Sequence, residues 1–279
     1  MLLQIDRMQR DVAGTVDAIA AEVFAAIGSG RQIAPFSSRS GGLTSADAYG
    51  VAAAVQAMRE ARGERAIGRK IGFTNRIIWP EYGVYAPNWG YITDRTVTEL
   101  PAAAVPLANF VEPKIEPEIV FGLGAAPAPD MNEAALMACI DWVARGYEIV
   151  QSIYPRWKFK PEDSVACNAM HGALLIGPRH AFKPRAAQWR NELAAFEIDL
   201  YCNGVVADRG KGANVLDSPL LALHHLVGLL ASDPVNPSLA AGEIVSTGTL
   251  TRALAIKPGE KWHTVLRGIP LEGIAIAFA

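Results

Sequence analysis

The chain has 279 residues, of which 51% are hydrophobic, and a net charge of −2. That is enough for a sizeable core in one large domain, and it gives no electrostatic case for nucleic acid or for an anionic membrane surface. Three widely spaced cysteines, Cys139, Cys167 and Cys202, exclude a disulfide framework and read as reduced thiols of a cytoplasmic protein.

The N-terminus carries Asp6 and Asp11 and lacks the apolar stretch of a secretion signal, and no run reads as long and apolar enough to span a bilayer. Val12, Val16, Ile19, Val23 and Ile27 recur at intervals of three and four, which predicts an amphipathic helix ended by Gly28 and Gly30. A Ser/Gly-rich linker from Ser37 to Gly42 leads to a second helix. It starts at Thr44 or Ser45, has Asp47 in its first turn, and runs through Val51, Val55 and Met58 to Gly63.

From about Ile67 the pattern changes to short β-prone runs separated by Gly and Pro: Lys70–Phe73, Gly90–Ile92, Ile115–Phe121, Ala173–Ile176, Phe196–Tyr201, Glu243–Ser246, Ala253–Ile256 and Ile274–Phe278. Two helices interrupt them, Asn132 to about Ile149 and Pro219 to Leu230. Strands are not regularly followed by helices, so a doubly wound parallel sheet is not expected. The expectation is an α+β fold with a helical part over 1–65 and a mixed, β-rich body over 66–279, without internal repeats.

Six stretches carry candidate chemistry. Lys70 lies on a short strand between Gly68 and Gly72, where a lysine can bind a carboxylate or carry protons, or else sit at the surface of an edge strand. In Lys114–Phe121 a strand period of two puts Glu116 and Glu118 on one face, suiting a hard cation such as Mg²⁺ or Mn²⁺. An edge strand with two solvated carboxylates, which Pro117 would fit, is the plain alternative. Glu148, at the expected end of a helix, opposes the helix dipole there, which suggests either a task such as a third metal ligand or a solvated end residue.

The last stretches read as loops. Trp157 to Lys160 and Asp163 to Asn168 follow in a loop-like segment, where Asn168 could orient a substrate or stabilise a turn. Cys167 has no implied base beside it and is a poor nucleophile, and His171 reads as structural more readily than as a proton donor. Ser246-Thr247-Gly248-Thr249 offers hydroxyls and backbone N–H groups to a carboxylate, or forms a plain turn.

In order along the chain stand Lys70-Ile71-Gly72-Phe73-Thr74, Ile115-Glu116-Pro117-Glu118-Ile119, Tyr147-Glu148-Ile149-Val150, Asp163 to Ala169, and Gly242 to Gly248. Together they resemble the 2-keto-4-pentenoate hydratase / 4-oxalocrotonate decarboxylase family, within the fumarylacetoacetate hydrolase superfamily. The resemblance implies Mg²⁺ or Mn²⁺ held by Glu116, Glu118 and Glu148, a catalytic lysine at Lys70, and substrate contacts at Thr74, Asn168, Thr247 and Gly248. It also implies a homo-oligomer acting on small 2-keto acids or their enols, by hydration, decarboxylation or acylpyruvate-type C–C cleavage. A third possibility is a partner subunit that binds the keto acid without turnover.

The chain departs from that pattern. Where the family commonly reads Gly-Val-Asp-x-Pro-Asp-Phe-Gly it has Gly83-Val84-Tyr85-Ala86-Pro87-Asn88-Trp89-Gly90. Cys167 and Met170 replace an acid and a hydroxyl, and Asp217 stands for a glycine. Tyr85 and Trp89 are expected to make a larger, more aromatic pocket edge.

Overall fold

The computed structural model describes residues 15–101 and 104–279; position 12 of the first expected helix lies outside them. Helix α1 covers 15–26, and Gly28 and Gly30 follow it at positive φ. Helix α2 is Ser45–Ala61, its Thr44 side chain accepting from Asp47 N as an N-cap should. Then come β1 (Ala66–Gly72), the single turn α3 (Trp79–Tyr82), β2 (Asn88–Thr93), β3 (Val97–Glu99) and β4 (Lys114–Leu123). Helix α4 (Glu133–Ala138), β5 (Ile140–Val150), α5 (Pro161–Ala166), β6 (His171–Ala181) and α6 (Ala186–Ala195) follow. The chain ends with β7 (Glu197–Cys202), β8 (Val205–Lys211), α7 (Pro219–Ala231), β9 (Ile244–Thr249), β10 (Leu254–Ala255), β11 (Lys261–Arg267) and β12 (Ala275–Ala277).

Among the described residues these strands form two sheets. The larger runs β2-β1-β9-β4-β5-β6-β3, with β10 added beside β4; the smaller runs β12-β11-β7-β8. Neighbours in the larger sheet are mostly antiparallel, but β1 with β9 and β3 with β6 are parallel, so the sheet is mixed as expected. One core lies between the larger sheet and helices α4, α6 and α7, around Phe121, Trp189, Leu223 and Leu226. A second joins the two sheets through Tyr147, Leu200 and Trp262. A third seats α1 and α2 on Val150, Ile153, Tyr154 and Val165.

The expected helix from Asn132 to Ile149 is two elements. Asn132 does cap a helix, its side chain accepting from Ala135 N, but that helix ends at Ala138. Ile140 to Val150 is a strand paired on both sides, with β4 and with β6. A central strand buries both faces, so Ile140, Val143 and Tyr147 are all buried and the apolar residues no longer alternate. That continuous apolar run also satisfies a helical period. The tertiary pairing, through β-prone residues such as Val143, Tyr147 and Ile149, decides for a strand.

Pro117 is not on an edge, because β4 is central. Its missing N–H falls where β9 stops, at Thr249 opposite Glu118, and before β10 begins, at Leu254 opposite Ile115. No ladder bond is required of it there. Ser246 to Thr249 is likewise part of strand β9, not a turn.

Residues Gly212–Ala231 do reach the length and hydropathy of a membrane span, against the expectation. The side chains of Leu220, Leu223, Leu226 and Leu230 in α7 are nonetheless buried in the first core. Each such leucine contributes about 2 kcal/mol by leaving water, so the helix is explained as a core helix.

Candidate active site

The pleat of β4 sends Glu116, Glu118 and Val120 to one face and Pro117, Ile119 and Phe121 to the other. In the antiparallel pair with β5, Glu116 stands directly opposite Glu148, and Glu118 opposite Gly146. Glu148 is therefore on a strand, and the helix-dipole reason for singling it out does not hold. Its cross-strand position brings it to the other two. One oxygen from each of Glu116, Glu118 and Glu148 lies within 4.8 Å of the others.

The three carboxylates are held by different partners. Glu118 Oε2 accepts from Ser246 Oγ and, at 2.8 Å, from Gly248 N, both on β9. Glu148 Oε1 lies 2.8 Å from His171 Nδ1, and His171 Nε2 lies 2.9 Å from Thr96 Oγ1. Glu148 Oε2 faces the Lys70 ammonium at 3.3 Å. Lys70 in turn donates to Ala169 O at 3.0 Å. That carbonyl is presented by three consecutive residues at positive φ, Asn168, Ala169 and Met170. Such left-handed residues outside glycine are strained and persist only where the surroundings hold them. Here the Asn168 side chain clamps Tyr91, accepting from its N at 2.6 Å and donating to its O at 2.9 Å.

Burial drives the electrostatics. Burial, with Glu148 adding, pushes Glu116 up to about 7 against Lys70 and Lys114. Burial, then Glu148 and Glu116, push Glu118 well above the usual carboxylate range. Burial also acts on Glu148, but Lys70 and His171 outweigh it and hold this carboxyl low. For Lys70 burial opposes the charge, and Glu148, Glu116 and Glu118 together overcome it, so its ammonium is held above the usual lysine value. Burial lowers His171 despite Glu148, which leaves a neutral ring to orient that carboxylate.

This cluster has room for a cation. Glu118 Oε1 is buried without a hydrogen-bond donor, and Glu148 Oε2 has only the Lys70 ammonium, at 3.3 Å. Three converging carboxylates with one ammonium among them leave excess buried negative charge, and buried charge is unfavourable unless paired. The donors are all hard oxygens from rigid strands, which suits Mg²⁺ or Mn²⁺ and leaves coordination positions for small ligands.

A pocket opens beside the cluster. Lys70, Glu116 and Lys114 line it, with Thr74, Asn88 and an apolar wall that includes Phe73, Tyr82, Trp157 and Phe159. Of the four residues expected to hold a substrate, Thr74 lines this pocket, and its buried Oγ1 has no partner. The other three commit their polar groups to the protein: Asn168 to Tyr91, Thr247 Oγ1 to Ile119 O at 2.9 Å, and Gly248 N to Glu118. Tyr85 and Trp89 do not form the pocket edge. Tyr85 is 83% exposed, and Trp89 is buried in the core, stacked on Tyr49. The aromatic wall comes from Phe73, Tyr82, Trp157 and Phe159 instead.

Cys167 is buried and its thiol is pushed up to about 12, chiefly by burial, so it is no nucleophile. Sequence reasoning read His171 as structural and offered the Ser246 hydroxyl to a carboxylate without identifying it, so the roles of these two residues at Glu148 and Glu118 were not read. Both become visible only once β4, β5, β6 and β9 are placed side by side.

Gly248 has φ +103°, and a Cβ there would lie 1.9 Å from Thr74 Oγ1. Gly248→Ala is expected to cost about 3 kcal/mol of stability or more, from backbone strain and the clash. It should also weaken divalent-metal binding, because Gly248 N holds Glu118. Thermal melts and a Mn²⁺ titration check both effects.

Known proteins resemble the chain over most of its length. Residues 56–272 match the family described as fumarylacetoacetate (FAA) hydrolase C-terminal. The chain is 32% identical over 249 residues to 2-hydroxyhexa-2,4-dienoate hydratase of Comamonas testosteroni, covering 88% of this chain and 92% of the relative. It is 30% identical over 251 residues to 2-keto-4-pentenoate hydratase of Paraburkholderia xenovorans (strain LB400), covering 90% of each. The solved structure of 4-oxalocrotonate decarboxylase from Pseudomonas putida G7, complexed with magnesium and adipate, matches with a TM-score of 0.86 at 28% identity. That match covers 95% of this chain and 98% of the other.

Proposed function

The chain belongs to the fumarylacetoacetate hydrolase family, with 2-keto-4-pentenoate hydratases and 4-oxalocrotonate decarboxylases as its relatives, and from that premise we propose that it is a divalent-metal-dependent lyase of 2-keto acids or their dienols. Glu116, Glu118 and Glu148 hold one Mg²⁺ or Mn²⁺ in this reading, Lys70 is the catalytic residue, and Thr74 contacts the substrate. A homo-oligomer acting in the cytoplasm on products of aromatic breakdown belongs to the same proposal. The observation that carries it is the buried three-carboxylate cluster with a single ammonium, Lys70, in which Glu118 Oε1 is left without a donor.

When bound, the cation supplies Lewis acidity toward the carboxylate and 2-oxo oxygens of a keto acid, where charge develops as an enolate forms. The chain's own groups do the rest. Lys70 Nζ, charged and directed by Glu148 and Ala169 O, donates a proton or a hydrogen bond to the substrate. Thr74 Oγ1 offers a free hydroxyl. The aromatic wall takes the substrate tail and excludes water from it.

The reading is tested by adding 2-hydroxypenta-2,4-dienoate to the protein with Mg²⁺ and following loss of the dienol's ultraviolet absorbance. Loss of that absorbance without CO₂ release means hydration. A protein that binds neither Mn²⁺ nor oxalate with Mg²⁺ would retire the site. Decarboxylation of a keto acid is a second reading, and one observation favours it. Among the described residues the pocket lining holds no carboxylate apart from Glu116, and it holds Asn88 where the family pattern has an acid. Release of CO₂ from 4-oxalocrotonate distinguishes it.

His171 is expected to act through Glu148. Outer partners that orient a ligating group typically change metal affinity by roughly 10–100-fold when removed. His171→Ala should weaken Mn²⁺ binding by about that factor in a calorimetric titration. His171→Gln, which can still donate to Glu148, should restore part of it.

A further inference from the structure

Arg145 stands in the middle of β5, where it pairs with Ile119 while its neighbour Gly146 pairs with Glu118. It shares a face with Ile119 and Tyr147, so its side chain leaves the sheet on the side away from the glutamates, where the apolar residues of two cores lie. Arg145 is 1% exposed, and its Nε, Nη1 and Nη2 are all buried without a hydrogen-bond partner. Burial pulls its pKa down to about 10, against Tyr147 and Glu118, so it remains charged at neutral pH. Tyr147, pushed up to about 12 chiefly by burial, is uncharged there, which leaves Glu118 as the carboxylate that acts on the guanidinium.

Folding gives no reason for such a charge. A buried cation without an acceptor is destabilising, and a well-packed apolar side chain would be more stable in its place. The site on the other face of the sheet gives a reason. Three carboxylates, the Lys70 ammonium and a divalent cation together carry no net charge, so an acid that joins them adds negative charge to a buried place. Lys114 opposes that charge from the pocket wall beside Glu116, but it is partly exposed and solvent screens it. Arg145 is fully buried, so its field is screened least. We propose that Arg145 is a buried counter-charge for the acid bound at the three glutamates: a positioning residue that touches neither cation nor substrate and favours their anionic complex from behind the sheet, next to Glu118. This inference rests on the reading that a keto acid chelates a cation at the three glutamates.

The test separates the two readings. Binding of pyruvate and of oxalate, which carry one and two negative charges, is measured by calorimetry at neutral pH on the full chain with saturating Mg²⁺. Arg145→Met should weaken pyruvate binding about fivefold and oxalate binding about 25-fold, because the Coulomb energy doubles with the charge of the ligand. Arg145→Lys should restore most of both. Arg145→Gln, neutral but polar, should show the same two losses, and it carries the test if the methionine variant does not fold. Both neutral variants should still bind Mn²⁺, since the three glutamates are untouched. Unchanged affinity for both acids overturns the proposal and leaves the metal reading standing. So does an equal fold-loss for the two acids, or loss of Mn²⁺ binding, either of which marks Arg145 as a structural residue. Failure of the wild-type protein to bind oxalate with Mg²⁺ overturns the metal reading, and this inference with it.

Discussion

Glu118→Gln is expected to raise the melting temperature of the metal-free protein and to abolish its stabilisation by Mg²⁺. Glu118 is fully buried and shares its site with Glu116 and Glu148. Burial first, then the two neighbouring carboxylates, disfavour its charge. Glutamine keeps an oxygen for Ser246 Oγ and Gly248 N and removes that charge, so the metal-free chain gains. The same change removes one of three proposed ligands, so the holoprotein loses. A ligand that binds only the folded chain stabilises it by mass action, and a variant that cannot bind gains nothing from added metal.

The pH dependence has a defined sign. Glu116, raised by burial to about 7, and Glu118, raised by burial well above the usual carboxylate range, hold protons in the folded chain at pH values where the unfolded chain has released them. Stability of the metal-free protein therefore falls as pH rises from about 4.5 through 7, and Glu116 alone accounts for something on the order of 3 kcal/mol. Glu148, held low, acts in the opposite sense, and its contribution disappears only at more acid pH. Thermal melts in EDTA should show the decline, Mg²⁺ should remove most of it, and Glu118→Gln should flatten it. A wild-type melting temperature in EDTA that does not change between pH 5 and 8 would contradict the repulsion argued here.

Lys70→Met should leave divalent-metal binding in place and lower turnover by about 10²–10⁴-fold, the usual range for a positioned acid or base. Nζ is the cation nearest Glu148, at 3.3 Å, and is aimed by Ala169 O at 3.0 Å. Its removal deletes the charge that offsets the three carboxylates, so the metal-free variant should also melt lower than wild type. Bound metal should close most of that gap. Turnover within a few-fold of wild type would reduce Lys70 to a structural counter-ion.

Much of the site was readable from local pattern. The period of two in β4 put Glu116 and Glu118 together, and glycines around Lys70 marked a close approach. At Gly72 a Cβ would lie 2.3 Å from Asn88 Oδ1 and 3.6 Å from Lys70 Nζ. The capped helix α2 and the terminators Gly28 and Gly30 were also visible, because caps and positive-φ glycines act within a few residues.

What failed to show in the chain shares one cause. Strand β5 looks helical because a strand covered on both faces loses its alternation. Strands β3, β8 and β11, and helices α3, α5 and α6, are short or carry charges that blur their period. The protein partners of three expected substrate residues were hidden for a related reason. Asn168, Thr247 and Gly248 are polar and lie near the cluster, but whether a polar group faces a ligand or a backbone depends on what is opposite it.

By itself, then, the sequence determined the pair of acids on one strand face, the lysine between glycines, the capped helices and the order of motifs that mark the family. These follow from periodicity and local backbone chemistry, which need no partner. The tertiary structure alone decided that Glu148 meets the pair across β4 and β5, that His171 and Ser246 hold Glu148 and Glu118, and that Phe73, Tyr82, Trp157 and Phe159 wall the pocket in place of Tyr85 and Trp89. Strand order and register set which side chains oppose one another, and those are properties of long-range pairing that no local spacing encodes.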